Sequence, residues 1–141
     1  MINVGAKLLQ AWYLCIAGNI PVPTYTEDAA PDNENGGSYV LLRMESETNQ
    51  SNNQAFVTSP VIITEVVTRF DVRIDYEPAN QIDSLIGQAV NPTPAQHGLP
   101  AQTGIQIVEI RRENSTTLTE DDGTYKYYRI ITRNLHRIVQ N

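Results

Sequence analysis

Histidine, cysteine and basic charge are all scarce in this chain, and each scarcity removes a class of function. Only His97 and His136 are present, so the usual acid-base carrier near neutral pH is confined to a proline-rich stretch and to the far end of the sequence. Neither belongs to a signature such as H-E-x-x-H. The ordinary expectation is an exposed loop imidazole at His97 and a strand-surface imidazole at His136. The single Cys15 cannot form an internal disulfide, and its apolar surroundings suit a small core residue in a reducing compartment. A metal site would therefore fall to carboxylates. The densest group, Glu120-Asp121-Asp122-Gly123, lacks the alternate-position oxygens of a calcium loop and reads as a turn. Glycine-rich phosphate loops are missing too, since neither Gly36-Gly37 nor Gly87 is followed by Lys-Ser or Lys-Thr. These absences leave no catalytic, cofactor-binding or metal-binding residue to nominate, and an enzyme is not expected.

Ten basic residues face sixteen acidic ones, a formal charge of −6. That is a poor footprint for affinity built on neutralising phosphates. Tyr125, Tyr127 and Tyr128 beside Lys126 and Arg129 fit a half-buried strand better than a base-stacking platform. The acidic stretch Glu27 to Glu34 and the basic C-terminal segment make the chain bipolar, which favours head-to-side packing of identical copies. Apolar runs are far shorter than the roughly 20 residues of a membrane span, so a soluble protein is expected. Lys7 ahead of Leu8 to Ala17 hints at a secretion leader, but Gln10 interrupts the run and the segment is read as mature structure. Asn49-Gln50-Ser51 and Asn114-Ser115-Thr116 match the glycosylation pattern and are discounted for want of that leader.

What is present divides into separate elements of one domain, residues 1–141. Gly5, Leu8, Leu9, Trp12, Cys15 and Ile16 recur at spacings of three and four, which predicts an amphipathic helix over residues 2–17 with Gly18-Asn19 at its C-cap. Ile20-Pro21-Val22-Pro23-Thr24-Tyr25 permits at best a short edge strand, and Thr26 to Gly37 reads as a loop. Ser38 to Glu47 predicts a strand with Leu42 and Met44 inward and Arg43 and Glu45 outward; Glu45 and Glu47 are expected to be solvated. Thr48 to Gln54 contains no apolar residue and reads as a hairpin tip. Phe56 to Tyr76 predicts a long strand with Thr64, Val66, Thr68, Phe70, Val72, Ile74 and Tyr76 on one face, Pro60 marking an edge, a bulge or a break. Pro78 opens a second, short helix carrying Ile82, Leu85, Ile86, Ala89 and Val90. After a connector over residues 91–103, a last hairpin joins Gly104–Asn114 to Tyr125–Val139. The expected fold is α+β: a mainly antiparallel sheet of two long hairpins with two helices packed on it.

Hairpins this long have polar tips, and polar arms lose more conformational entropy in a lone subunit than they recover by burial. Neighbouring copies are expected to cover them. The opening helix, the Pro-Val-Pro-Thr-Tyr segment, the strand starting Ser38-Tyr39-Val40-Leu41-Leu42, the Val/Thr strand, the Ile82–Val90 helix and the last hairpin together resemble the tail terminator family of tailed bacteriophages, also called tail completion or head-to-tail joining proteins. The similarity follows nearly the whole chain in order. Ser38 stands where that family has a proline before its Tyr-Val strand, and the connector after the second helix is longer here.

The resemblance implies a structural virion protein, made in the host bacterial cytoplasm, that forms a sixfold ring at the neck between the connector or portal-side protein and the tail tube protein. DNA would pass through the lumen, where acidic excess lets the duplex slide. It also implies subunit contacts at Asn49, Gln50, Ser51, Asn52 and Asn53 on the first arm and at Glu120, Asp121 and Asp122 on the second. Arg111, Arg112, Arg133 and Arg137 would pair with a neighbour's carboxylates or remain solvated strand charges. A head-completion adaptor or another minor tail ring protein is the alternative within virions; a small ligand-binding or enzymatic domain and a nucleic-acid-binding regulator are the alternatives outside them.

Overall fold

The computed structural model describes residues 4–26, 38–45, 57–70, 75–93, 96–121, 123 and 125–140. Its opening helix α1 spans Val4–Asn19 and buries Gly5, Leu8, Trp12, Cys15 and Ile16 of the expected stripe, with Leu9 only partly buried and Val4 and Ala11 joining them. Gly18 and Asn19 belong to the last turn: Asn19 Nδ2 donates to the Cys15 carbonyl at 2.7 Å, and the Ile20 N–H follows to Ile16 at 2.9 Å. Pro21 and Pro23 then hold the chain extended into β1 (Thr24–Thr26). This is the short edge strand anticipated, and it pairs in parallel with β2 (Tyr39–Met44). The expected loop beyond Thr26 and the polar tip at 48–54 lie outside the described residues.

Of the predicted strand over Phe56–Tyr76, the described residues form two strands, while Phe56, Val72 and Ile74 lie outside the described residues. β3 (Val57–Thr58) and β4 (Val61–Phe70) flank Ser59-Pro60. Both pair with β6 (Lys126–Gln140) in one register, Thr58 opposite Ile138 and Val61 opposite Leu135. Proline has no N–H to give the ladder, so the ladder pauses there without slipping. Tyr76 is not on the strand: it precedes α2 (Glu77–Val90) as its N-cap residue, its ring edge-on to Tyr128 at 4.8 Å. Pro78 sits in the first turn of α2, where its missing N–H costs nothing. Ala79, Ile82, Ile86 and Val90 are buried, whereas Leu85, predicted for the apolar stripe, is exposed. In the connector the Gly98 N–H bonds the Val90 carbonyl at 2.8 Å. A Cβ at Gly98 would lie 1.9 Å from the Ala89 carbonyl oxygen, so only glycine fits.

β5 (Ile105–Asp121) completes a six-stranded sheet by pairing with the free side of β6. The order β1-β2-β4-β6-β5, with β3 in line with β4, is antiparallel apart from β1–β2. The α+β expectation therefore holds. The last hairpin, expected to project as an arm, is instead part of this sheet, because its strand β6 pairs with β4 as far as Lys126 while β5 lies outermost. Both helices cover one sheet face, and Trp12, Leu8, Ile16, Val40, Leu42, Ile62, Val66, Ile86 and Ile138 form the body of the core between them. Neither helix is long and apolar enough to cross a membrane.

His136 departs most from expectation. It is 3% exposed, not a strand-surface imidazole. It stands on β6 opposite Pro60, and its Nδ1 lies 3.0 Å from the Pro60 carbonyl oxygen. Its Nε2 accepts the Trp12 indole N–H at 2.7 Å. The indole can only donate, so Nε2 is bare and Nδ1 carries the proton toward Pro60. Burial, with a smaller push from His97 and against the Pro60 hydrogen bond, lowers its pKa from 6.5 to about 4. Protonation would set an Nε2–H against the indole N–H.

Two outcomes follow for stability. The folded pKa lies below the unfolded one, so the unfolded chain binds more protons between them; the His136 contribution is complete above pH 6.5 and is lost as the pH falls to about 4. Equilibrium denaturation across that window should show a loss of about 3 kcal/mol, and His136→Gln should flatten the slope. Trp12→Phe removes the indole N–H, leaving Nε2 unpaired, and the smaller ring leaves a gap in the core; the unpaired nitrogen alone should cost about 1–3 kcal/mol in denaturant measurements at pH 7, and the gap adds to it.

Candidate assembly surfaces

The sheet face away from the helices is built by alternation along the strands. Tyr39 from β2, Val67 from β4 and Tyr127 from β6 form a second, smaller apolar cluster, with Tyr25, Leu41 and Tyr125 packed against it. The aromatic contacts are edge-on, Tyr25 to Tyr39 at 5.9 Å and Tyr125 to Tyr127 at 6.4 Å. The Arg69 guanidinium covers the Tyr125 ring at 4.4 Å.

Beside this cluster two charge ladders cross the strands. In the first, Glu65 on β4 accepts from Arg129 on β6 at 2.8 Å, Arg43 on β2 lies 3.5 Å from its other oxygen, and Arg129 Nε reaches Glu120 on β5 at 3.2 Å. Burial works against the Arg129 charge, but the Glu65 hydrogen bond and attraction prevail and raise its pKa above the ordinary value. In the second, Arg133 on β6 joins Glu45 at 2.6 Å and Glu113 at 3.3 Å. The hydrogen bond to Glu45 is the main cause of its raised pKa. The ladders differ in energetic weight. Glu65 is 7% exposed, and removing one partner of a buried pair strands the other; the Arg133 pairs are open to water and contribute little.

Of the cations expected to seek a neighbour's carboxylates, two are already partnered within the chain. Arg112 points to the helix side and bonds Asp83 on α2 at 2.7 Å, and Arg133 is held as above. Arg111 and Arg137 are exposed and make no ion pair among the described residues; with Glu109, Ser59 and Leu135 they line a recess of about 240 Å³ that reaches His136. Glu120 pairs with Arg129, while Asp121 Oδ1 accepts the Gly123 N–H at 2.9 Å in the turn, where Gly123 has φ +89°. Asn49, Gln50, Ser51, Asn52, Asn53 and Asp122 lie outside the described residues.

Among the described residues the ionisable side chains do not converge as a catalytic constellation would. His136 has both ring nitrogens engaged. His97 Nδ1 accepts the Leu99 N–H at 3.2 Å. Burial raises the pKa of the Cys15 thiol, 3.6 Å from the Ala89 carbonyl. No cluster of three His, Cys, Asp or Glu suited to a metal occurs among the described residues.

Among the described residues the sheet ends in two open edges. At one side, β1 pairs there only with β2, and its flank borders a groove of about 510 Å³ against α1, lined by Leu9, Gln10, Tyr13, Thr24, Tyr25 and Thr26. At the other, β5 pairs only with β6, and every residue from Glu113 to Asp121 is exposed. Sequence reading missed both the groove and the burial of Glu65. The signal for Glu65 was there: it interrupts an unbroken Val/Ile/Thr run from Val61 to Thr68, where an exposed strand would alternate.

No family model matches the chain, and no curated protein matches it in sequence. Among solved structures it is similar to a chain in the virion of a native gene transfer agent particle, with a TM-score of 0.68 over 97% of this chain and 99% of that one. Sequence identity is 15%, so the likeness is one of fold.

The two ladders give a paired outcome. Glu65→Gln should lower stability by about 3 kcal/mol in urea denaturation, by leaving Arg129 and Arg43 without their shared carboxylate. Glu113→Gln should leave the midpoint unchanged within error.

Proposed function

We propose that this chain is a structural virion protein of a tailed phage or phage-like particle, acting as a tail terminator: a ring of identical subunits at the neck that joins the connector to the tail tube and ends tube polymerisation. The observation that carries it is the likeness to a virion-particle chain along the full length of both. A shared small domain inside an unrelated protein would match only part of one partner. The open sheet edges suit a component covered by copies of itself. The excess of sixteen acidic over ten basic residues suits a ring through which DNA slides without sticking. The chain works in this scheme as one domain without catalysis. Its partners are its own copies, the tail tube protein and a portal-side neck protein.

Incubating the purified protein with tail tubes tests the role. Tubes should acquire a cap at one end, visible by negative-stain electron microscopy, and should stop elongating when tube protein is added. Native mass spectrometry of the capped material should show a homo-oligomer, with six copies as the expected number. Binding to portal in place of tubes would make the protein a head-completion adaptor instead.

A further inference from the structure

Resting on the ring of copies proposed above, we infer that neighbouring subunits join edge to edge: the Ser115–Thr119 stretch of β5 in one copy enters the groove between α1 and β1 in the next and extends its sheet. Three observations converge on a second copy as the occupant.

The first is backbone chemistry. A strand edge leaves alternate N–H and C=O groups without strand partners, and among the described residues this sheet has one such edge at β1 and another at β5. Each edge supplies what the other lacks. Because the two are different surfaces, the contact is head-to-tail, the kind that repeats around a ring.

The second is charge. The side chains lining the groove at Leu9, Gln10, Tyr13, Thr24, Tyr25 and Thr26 carry no charge. The exposed half of β5 is charged at Glu113, Glu120 and Asp121, but Ser115-Thr116-Thr117-Leu118-Thr119 between them is an uncharged window. That window can enter an uncharged groove without stranding an ion.

The third is the fit of particular groups. Leu118 is a large apolar side chain left 43% exposed amid threonines; opposite Arg129, it lies on the sheet face away from the helices, where Tyr25 of β1 and its apolar cluster offer a surface to receive it. Thr24 Oγ1, on the groove strand, has no hydrogen-bond partner among the described residues. Added strands combine main-chain hydrogen bonds for affinity with side-chain pockets for register, and both elements are present here.

Disulfide trapping tests the pairing. Thr26→Cys and Thr117→Cys are made in separate full-length proteins; Cys15 is buried and contributes little background. Under mild oxidation the mixture should give covalent dimers while each variant alone gives none, and the double variant should give a ladder of higher species. Leu118→Lys should weaken self-association at least tenfold by sedimentation, with an unchanged circular dichroism melt. Self-crosslinking of either single variant would mean an isologous contact and overturn the pairing, as would Thr26→Cys bonding the tail tube protein in place of a second copy. If oligomers form and cap tubes but the mixture gives no crosslink, the edge contact is wrong while the ring stands. If the chain neither oligomerises nor caps tubes, both fall.

Discussion

The strand β6 is the constraint on which everything else is arranged. It carries neighbours along both sides, β4 and β3 on one and β5 on the other, from Lys126 to Gln140. A central strand needs an apolar set on its covered face, and Tyr128, Ile130 and Ile138 supply it, with Thr132, Asn134 and His136 as buried polar members. Those polar groups are tied inward: Asn134 Nδ2 donates to the Ile62 carbonyl at 3.0 Å, and the Thr132 and Ser115 hydroxyls share a bond of 2.9 Å. With β6 in the middle, β1 and β5 are the edges among the described residues. The assembly surfaces are thus consequences of where one strand sits.

Pro60 matters in the same way. Its ring removes a donor from the ladder, yet its carbonyl is taken up by His136, and His136 in turn is held by Trp12. One short chain of hydrogen bonds thereby connects the opening helix, the central strand and the interruption between β3 and β4. Each group has its partner, which a buried polar network requires if it is to stabilise. A residue that looks like a defect in a strand is the point at which helix and sheet are registered.

Much of the fold was legible because the signals were local. Helical spacing in Leu8, Trp12, Cys15 and Ile16 identified α1, and Pro78 marked the entry to α2. The short edge strand at Thr24–Thr26 followed from two prolines, though not its parallel pairing with β2. Readings that failed needed knowledge of partners. His136 lies beside Arg137 and alternates with polar residues, so nothing local distinguishes it from a surface imidazole; only Trp12, more than a hundred positions away, makes it buried. The last hairpin read as an arm because its own sequence is polar beyond Arg112, and the strand that embeds it, β4, is remote. For the candidate contacts the same limit holds. The spacing of Arg112 and Arg133 does not reveal Asp83 and Glu45 waiting in their own subunit, whereas Arg111 and Arg137 make no ion pair among the described residues.

The two bulges in β5, at Ile107/Glu109 and Arg112/Ser115, give that strand seventeen residues where β6 uses fifteen. An edge with a longer contour than its neighbour cannot lie straight beside it, and extra residues on one strand increase local twist and bend. The sheet therefore behaves like a curved track whose outer lane is the longer, and any stack of such sheets inherits a steady turn. Curvature of a larger body would then be written into two surplus residues of a single strand.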